Sequence, residues 1–90
     1  MYKVQYSNKF KKQLKNLRAR GYDMTLFETV VTMLSQGKPL PEKYSDHRLN
    51  GKWQGYRDCH IQPDWILIYR IDKGVLTLYL TETGTHADLF

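Results

Sequence analysis

Cysteine occurs only once, at Cys59, in a chain of 90 residues, so no internal disulfide or thiolate cluster can form and the core must hold the fold together. That usage suits a cytoplasmic protein. No apolar run approaches the ~20 residues that span a bilayer, and the opening MYKVQYSNKF lacks the apolar stretch of a signal peptide, so neither a membrane protein nor a secreted one is expected. Acidic residues are scarce beside basic ones. Nine Asp and Glu against fourteen Lys and Arg leave a net charge of +5, which favours an acidic partner, either nucleic acid or an acidic protein. There is no repeat, low-complexity tract or linker, and the length suffices for one core, so a single domain over residues 1–90 is expected.

The pattern along the chain is that of an α+β protein. Residues 2–6 alternate Tyr2, Val4 and Tyr6 against Lys3 and Gln5, the mark of a short strand. Ser7 or Asn8 caps a helix over residues 9–20, in which Phe10, Leu14 and Leu17 recur at helical spacing and Gly21 marks the end. Its remaining surface is a basic coat of Lys9, Lys11, Lys12, Lys15, Arg18 and Arg20, which reads either as a solvated face or as a surface that tracks phosphates. Asp23 caps a second helix reaching about residue 36, with Leu26, Val30, Met33 and Leu34 as buried positions and Gly37 as its stop. After a loop over 38–46 containing Pro39 and Pro41, residues 56–61, 65–71 and 75–81 read as strands joined by the turns Gln62-Pro63-Asp64 and Asp72-Lys73-Gly74. The 65–71 run is apolar on both faces, as a central strand would be, while Leu76, Leu78 and Leu80 give the last strand one buried side. The expected fold is an N-terminal strand and a helical hairpin packed on an antiparallel β-meander, followed by a short C-terminal tail.

Candidate chemistry is concentrated in residues 44–69, which hold two of the three histidines and both tryptophans. Alternation in the 56–61 strand turns Cys59 and Ile61 toward the core and Tyr56, Asp58 and His60 away from it. Asp64 lies in the turn just beyond His60. The place of His47 depends on register. A two-residue turn at Asn50-Gly51 would pair it with Gln54 and leave it about 20 Å from His60 at ~3.3 Å per residue. A wider loop over 51–54 that closes at Gly55 would set it opposite Asp58 and diagonal to His60, and this second register is the one expected. His86, after Gly84, can return to the same place if the tail folds back and docks Leu89 and Phe90.

Three imidazoles and a carboxylate admit two chemistries. Metal ligation is one, although no compact HxxxH or HExxH spacing is present and no metal is expected. The other is cleavage of RNA, in which a base removes the 2′-OH proton and an acid protonates the departing 5′-oxygen. Histidine suits both transfers because its pKa lies near neutrality. Arg48, Lys52 and Arg57 are the candidate phosphate contacts.

The segments Asp46-His47-Arg48-Leu49-Asn50-Gly51-Lys52-Trp53, Tyr56-Arg57-Asp58-Cys59-His60-Ile61-Gln62-Pro63-Asp64-Trp65 and Gly84-Thr85-His86-Ala87-Asp88-Leu89-Phe90 resemble the YafQ-like branch of the RelE toxins of bacterial type II toxin–antitoxin systems. The resemblance runs over essentially the whole chain. It implies a RelE-like fold and a ribosome-dependent mRNA endonuclease that cuts codons in the decoding site without metal or other cofactor, leaving a 2′,3′-cyclic phosphate and a free 5′-hydroxyl. His47, His60, Asp64 and His86 match the family's catalytic set, with His86 as general acid, His60 and Asp64 in base or orienting roles, and His47 aiding phosphate or proton transfer. Trp65 and Phe90 match aromatics linked to activity or substrate placement. The partners implied are the ribosome, its mRNA and a cognate antitoxin, typically a dimeric DNA-binding repressor. Two other functions compete: a ParE-like toxin that poisons DNA gyrase, and a non-catalytic RNA-binding domain that would tolerate His86→Ala.

Overall fold

Two side-chain caps set where the helices begin. In the computed structural model, which describes all 90 residues, β1 (Lys3–Tyr6) gives way at Ser7, whose hydroxyl accepts from the Phe10 backbone N–H at 2.9 Å and donates to the Thr81 carbonyl at 2.8 Å. The first bond starts α1 (Asn8–Ala19), and the second pins that start to the far end of the chain. Asp23 caps α2 (Met24–Ser35) by accepting from the Thr25 N–H at 2.9 Å, and Gly37 at φ +72° ends it.

Phe10 and Leu17 of α1 are buried against Phe27, Val30, Val31 and Leu34 of α2. The buried stripe of α2 thus begins at Phe27 rather than Leu26, which is 36% exposed, and Met33 is only half-buried. The i, i+3, i+4, i+7 spacing of the buried four makes a single stripe, and Leu26 stands outside it.

Beyond the helices the chain forms β2 (His47–Arg48), β3 (Arg57–Gln62), β4 (Trp65–Asp72) and β5 (Thr77–Gly84), with single 3₁₀ turns at Glu42–Tyr44 and Gly51–Trp53. The sheet has five strands in the order β1-β5-β4-β3-β2. It is a meander extended on one side, because β1 pairs parallel with β5, Lys3 beside Thr77 and Tyr6 beside Leu80. The expected antiparallel meander is thus present as β2 to β5, and the N-terminal strand joins it in parallel, which makes the whole sheet mixed. β4 is central, as its composition requires. Trp65, Leu67 and Tyr69 join the helix-side core, while Ile66 and Ile68, equally buried, point to the opposite face. β5 starts later than residue 75, because Asp72 Oδ1 takes the Gly74 N–H at 2.9 Å and Leu76 sits at φ +50° in a longer turn. Leu76 is 58% exposed and contributes nothing to the buried side that Leu78 and Leu80 form.

The tail folds back on the molecule. Thr85 caps a last helical turn, α3 (His86–Leu89), in a capping box in which its hydroxyl accepts from the Asp88 N–H and the Asp88 carboxylate accepts from the Thr85 N–H. Asp88 is held in turn by Arg20 at 3.1 Å. No helix is long and apolar enough to cross a membrane.

Candidate active site

The register of β2 against β3 decides the position of His47. Leu49 N–H donates to the Tyr56 carbonyl at 3.0 Å and the loop between them is rounded by Gly51 at φ +66° and Gly55 at φ +90°. Asn50-Gly51 does not form a two-residue turn. The wider loop sets His47 opposite Asp58 and brings its ring centroid to 6.4 Å from that of His60. The His60 ring lies 5.6 Å from that of His86, which lies 6.3 Å from that of Phe90, a residue 61% exposed. The three imidazoles thus form a row on the sheet face opposite the helices, with His60 in the middle.

Each ring is fastened through the same nitrogen. His47 Nδ1 donates to the Ser45 carbonyl at 2.8 Å, His60 Nδ1 to the Pro63 carbonyl at 3.1 Å, and His86 Nδ1 to Asp64 Oδ1 at 2.8 Å. Carbonyl and carboxylate oxygens only accept, so the neutral form of each ring carries its proton on Nδ1 and offers the Nε2 lone pair. No Nε2 has a hydrogen-bonding partner in the protein. Asp64 grips His86 twice, since Oδ1 also accepts the His86 backbone N–H at 3.0 Å. That backbone bond, with the ring's bond behind it, holds the exposed Asp64 carboxyl below the usual carboxylate range.

Asp58 belongs to this group although the sequence marks it only as the residue facing His47. It is 4% exposed, and its Oδ1 lies 3.1 Å from His47 Nδ1 yet accepts no hydrogen bond, because that N–H is directed to Ser45. Burial raises its carboxyl above the ordinary range, and the charges of His47 and His60 oppose the rise. An acid two residues before a histidine on the polar face of a strand is the signal that could have found it. Lys43 carries no such signal. It lines a cavity of about 640 Å³ with Tyr44, Ser45 and His60, and no motif marks it.

Four expected substrate contacts stand elsewhere. Trp65 is fully buried, with Nε1 donating to Thr83 at 2.9 Å, so it cannot touch a substrate; the correction is that it braces β4 against β5 beside Asp64. Arg48 and Arg57 pair with each other one residue from His47 and Asp58, and alternation puts them on the opposite face from the imidazoles. Arg57 is further committed to Asp46, which it meets through two hydrogen bonds of 3.3 Å and which also accepts from the Tyr69 hydroxyl at 2.6 Å. These two arginines therefore flank the imidazole row from the other face of the sheet. Lys52 lies exposed in the 51–53 turn, outside the imidazole row. Cys59 is fully buried and its thiol is pushed up by that burial, as its core-facing phase implies. No three His, Cys, Asp or Glu side chains are gathered in the geometry of a preformed metal site.

A protein family described as the bacterial toxin of type II toxin–antitoxin system, YafQ, matches residues 2–90. The mRNA interferase toxin YafQ of Escherichia coli K12 is 43% identical over 88 residues, which cover 97% of this chain and 94% of that protein. Among solved structures, a metal-bound toxin from Helicobacter pylori superposes with a TM-score of 0.95 at 42% identity, covering all of both chains. The E. coli DinJ–YafQ complex contributes a chain with a TM-score of 0.90 at 42% identity, covering 100% of this chain and 99% of that one.

Proposed function

The chain belongs to the YafQ family of bacterial toxins of type II toxin–antitoxin systems, and from that membership we propose that it is an mRNA endonuclease that stops translation by cutting ribosome-bound messages. The observation that supports the chemistry is the row of three imidazoles, each tied down at Nδ1 and free at Nε2. Such rings can take or give a proton at a defined atom near neutral pH without metal.

In this reading neutral His60 removes the 2′-OH proton through Nε2, the 2′-oxygen attacks the adjacent phosphorus, and protonated His86 donates from Nε2 to the departing 5′-oxygen. The products are a 2′,3′-cyclic phosphate and a 5′-hydroxyl. The centroids of these two rings stand 5.6 Å apart, so both can reach one phosphodiester. Asp64 orients His86 through Nδ1, the Ser45 carbonyl orients His47 in the same way, and the Asp58 carboxyl faces His47 at 3.1 Å on the other side of His60. Phe90, exposed beside His86, offers a ring for a base to stack on. A cognate antitoxin, expected to be a dimeric DNA-binding repressor, neutralises the toxin; the E. coli relative solved with DinJ supports such a partner.

The test is induction of the wild-type chain and of His86→Ala in growing bacteria, with primer extension along a translated message. Wild type arrests growth and cuts within codons, whereas the variant cuts about 10²- to 10⁴-fold more slowly, the range for loss of one proton-transfer group. Purified toxin keeps its activity on ribosome-bound message in the presence of a chelator. Arrest by both proteins with the message intact overturns the reading in favour of a binding toxin, gyrase being the first target to examine.

A further inference from the structure

The imidazole face continues past the site along the strands, and its next row is aromatic and cationic. Tyr79 of β5 pairs with Gln5 of β1 on one side and Arg70 of β4 on the other. Arg57 pairs with Tyr69, so the preceding residue, Tyr56, comes opposite Arg70. Alternation places this row on the Asp58 and His60 face, since Ile68 pairs with Asp58 and Ile66 with His60. At ~3.3 Å per residue it stands about 7 Å from the His47–Asp58 row and about 13 Å from His60.

The Arg70 guanidinium carbon lies 4.0 Å above the Tyr79 ring centroid. Tyr56, Arg70 and Tyr79 line an open cavity of about 230 Å³ with Gln5 and Thr81. Arg70 has one carboxylate neighbour, Asp72, at 4.0 Å, the outer limit of an ion pair, so most of its charge is uncompensated. We propose that Tyr56, Arg70 and Tyr79 form a stacking subsite for a nucleobase of single-stranded RNA flanking the scissile phosphate. This rests on the ribonuclease reading above. Planar rings and a guanidinium plane present π faces that accept any base, which suits an enzyme acting on many messages. Arg70 adds a charge for the backbone. Beside the apolar Leu80 the lining is phenolic, amide, hydroxyl and guanidinium, groups that stack on a nucleobase and hydrogen-bond to its edges.

The subsite is tested by single-turnover cutting of a ribosome-bound message over a range of concentrations of the full chain. Tyr79→Ala raises the half-saturating concentration about tenfold, the loss of one base stack, and leaves the limiting rate within about twofold. Tyr79→Phe, which keeps the ring, behaves as wild type. Arg70→Lys keeps the charge but not the plane, and raises half-saturation without changing its salt dependence. Thermal unfolding within a few degrees of wild type shows that the variants fold, and should Tyr79→Ala fail this control, Arg70→Lys decides. Wild-type half-saturation in a folded variant overturns the subsite, as does a fall in limiting rate alone. If the wild-type chain itself cuts no message, the ribonuclease reading fails first and the subsite falls with it.

Discussion

Asp58 carries its electrostatic tension in a way that stability can report. Its folded-state pKa is raised by burial against the opposing pull of His47 and His60, so its contribution to stability is full below the unfolded pKa of about 3.9 and is lost as pH rises through the folded value. Asn in its place cannot ionise. Asp58→Asn should therefore match wild type in urea unfolding near pH 3 and exceed it at pH 7. Activity should move the other way, because the carboxylate is what faces His47 at 3.1 Å. A fall smaller than ~10²-fold marks a positioning residue, whereas a larger one would make Asp58 itself a proton-transfer group. A variant less stable than wild type at pH 7 would refute the burial argument. Asp64 titrates in the opposite sense: its depressed pKa means that the grip on His86 is present above about pH 4 and weakens as pH falls further.

The last helical turn shows how an element can be legible in its residues but not in its cause. The sequence offers Gly84 as a source of backbone freedom for a change of direction, yet it is buried at the end of β5 and its role is spatial. A Cβ there would stand 2.9 Å from Asp88 Cβ and 3.0 Å from Asp88 Oδ2, breaking the capping box and the pair with Arg20. Gly84→Val should therefore lower stability by about 1 kcal/mol, the typical value of a cap, while cutting falls about 10²-fold because His86 no longer meets Asp64. Separation of His86 from Asp64 is readable in the His86 ring resonances, and an unchanged cutting rate would show that the turn does not need its cap. Other elements are plain from local pattern: the caps Ser7 and Asp23, the stripe through Phe10 and Leu17, and the central place of β4 all follow from spacing and residue type. The parallel pairing of β1 with β5 is not, since it joins residues more than 70 positions apart and no local period encodes it. The faces of Arg48 and Arg57 follow from alternation once His47 is set opposite Asp58, but that register depends on Gly51 and Gly55 both taking positive φ, which no period reveals.

At the scale of the molecule, the sheet separates two kinds of surface. The imidazoles, Phe90 and the Tyr79–Arg70 row occupy the face away from the helices, whereas Lys11, Lys15 and Arg18 line the rim of an apolar groove floored by Phe10, Leu14, Met24 and Phe27 on the helix side. Of the basic coat on α1, Lys9 is paired with Glu82 and Arg20 with Asp88, and the other four cations have no acidic partner. These charges stand on the helix side and not on the imidazole face, and they add to the net +5 that favours a polyanionic partner. Replacing Lys11, Lys12 and Lys15 with Gln should slow association with programmed ribosomes and flatten its dependence on salt. The log–log slope should fall by up to ~0.7 for each phosphate that is no longer neutralised, the value for single strands. The limiting rate of cutting should stay at the wild-type value, because the proton-transfer groups are untouched. A salt slope equal to that of wild type would make the coat a solvated face, and a lowered limiting rate would show that the helix side reaches the chemistry after all.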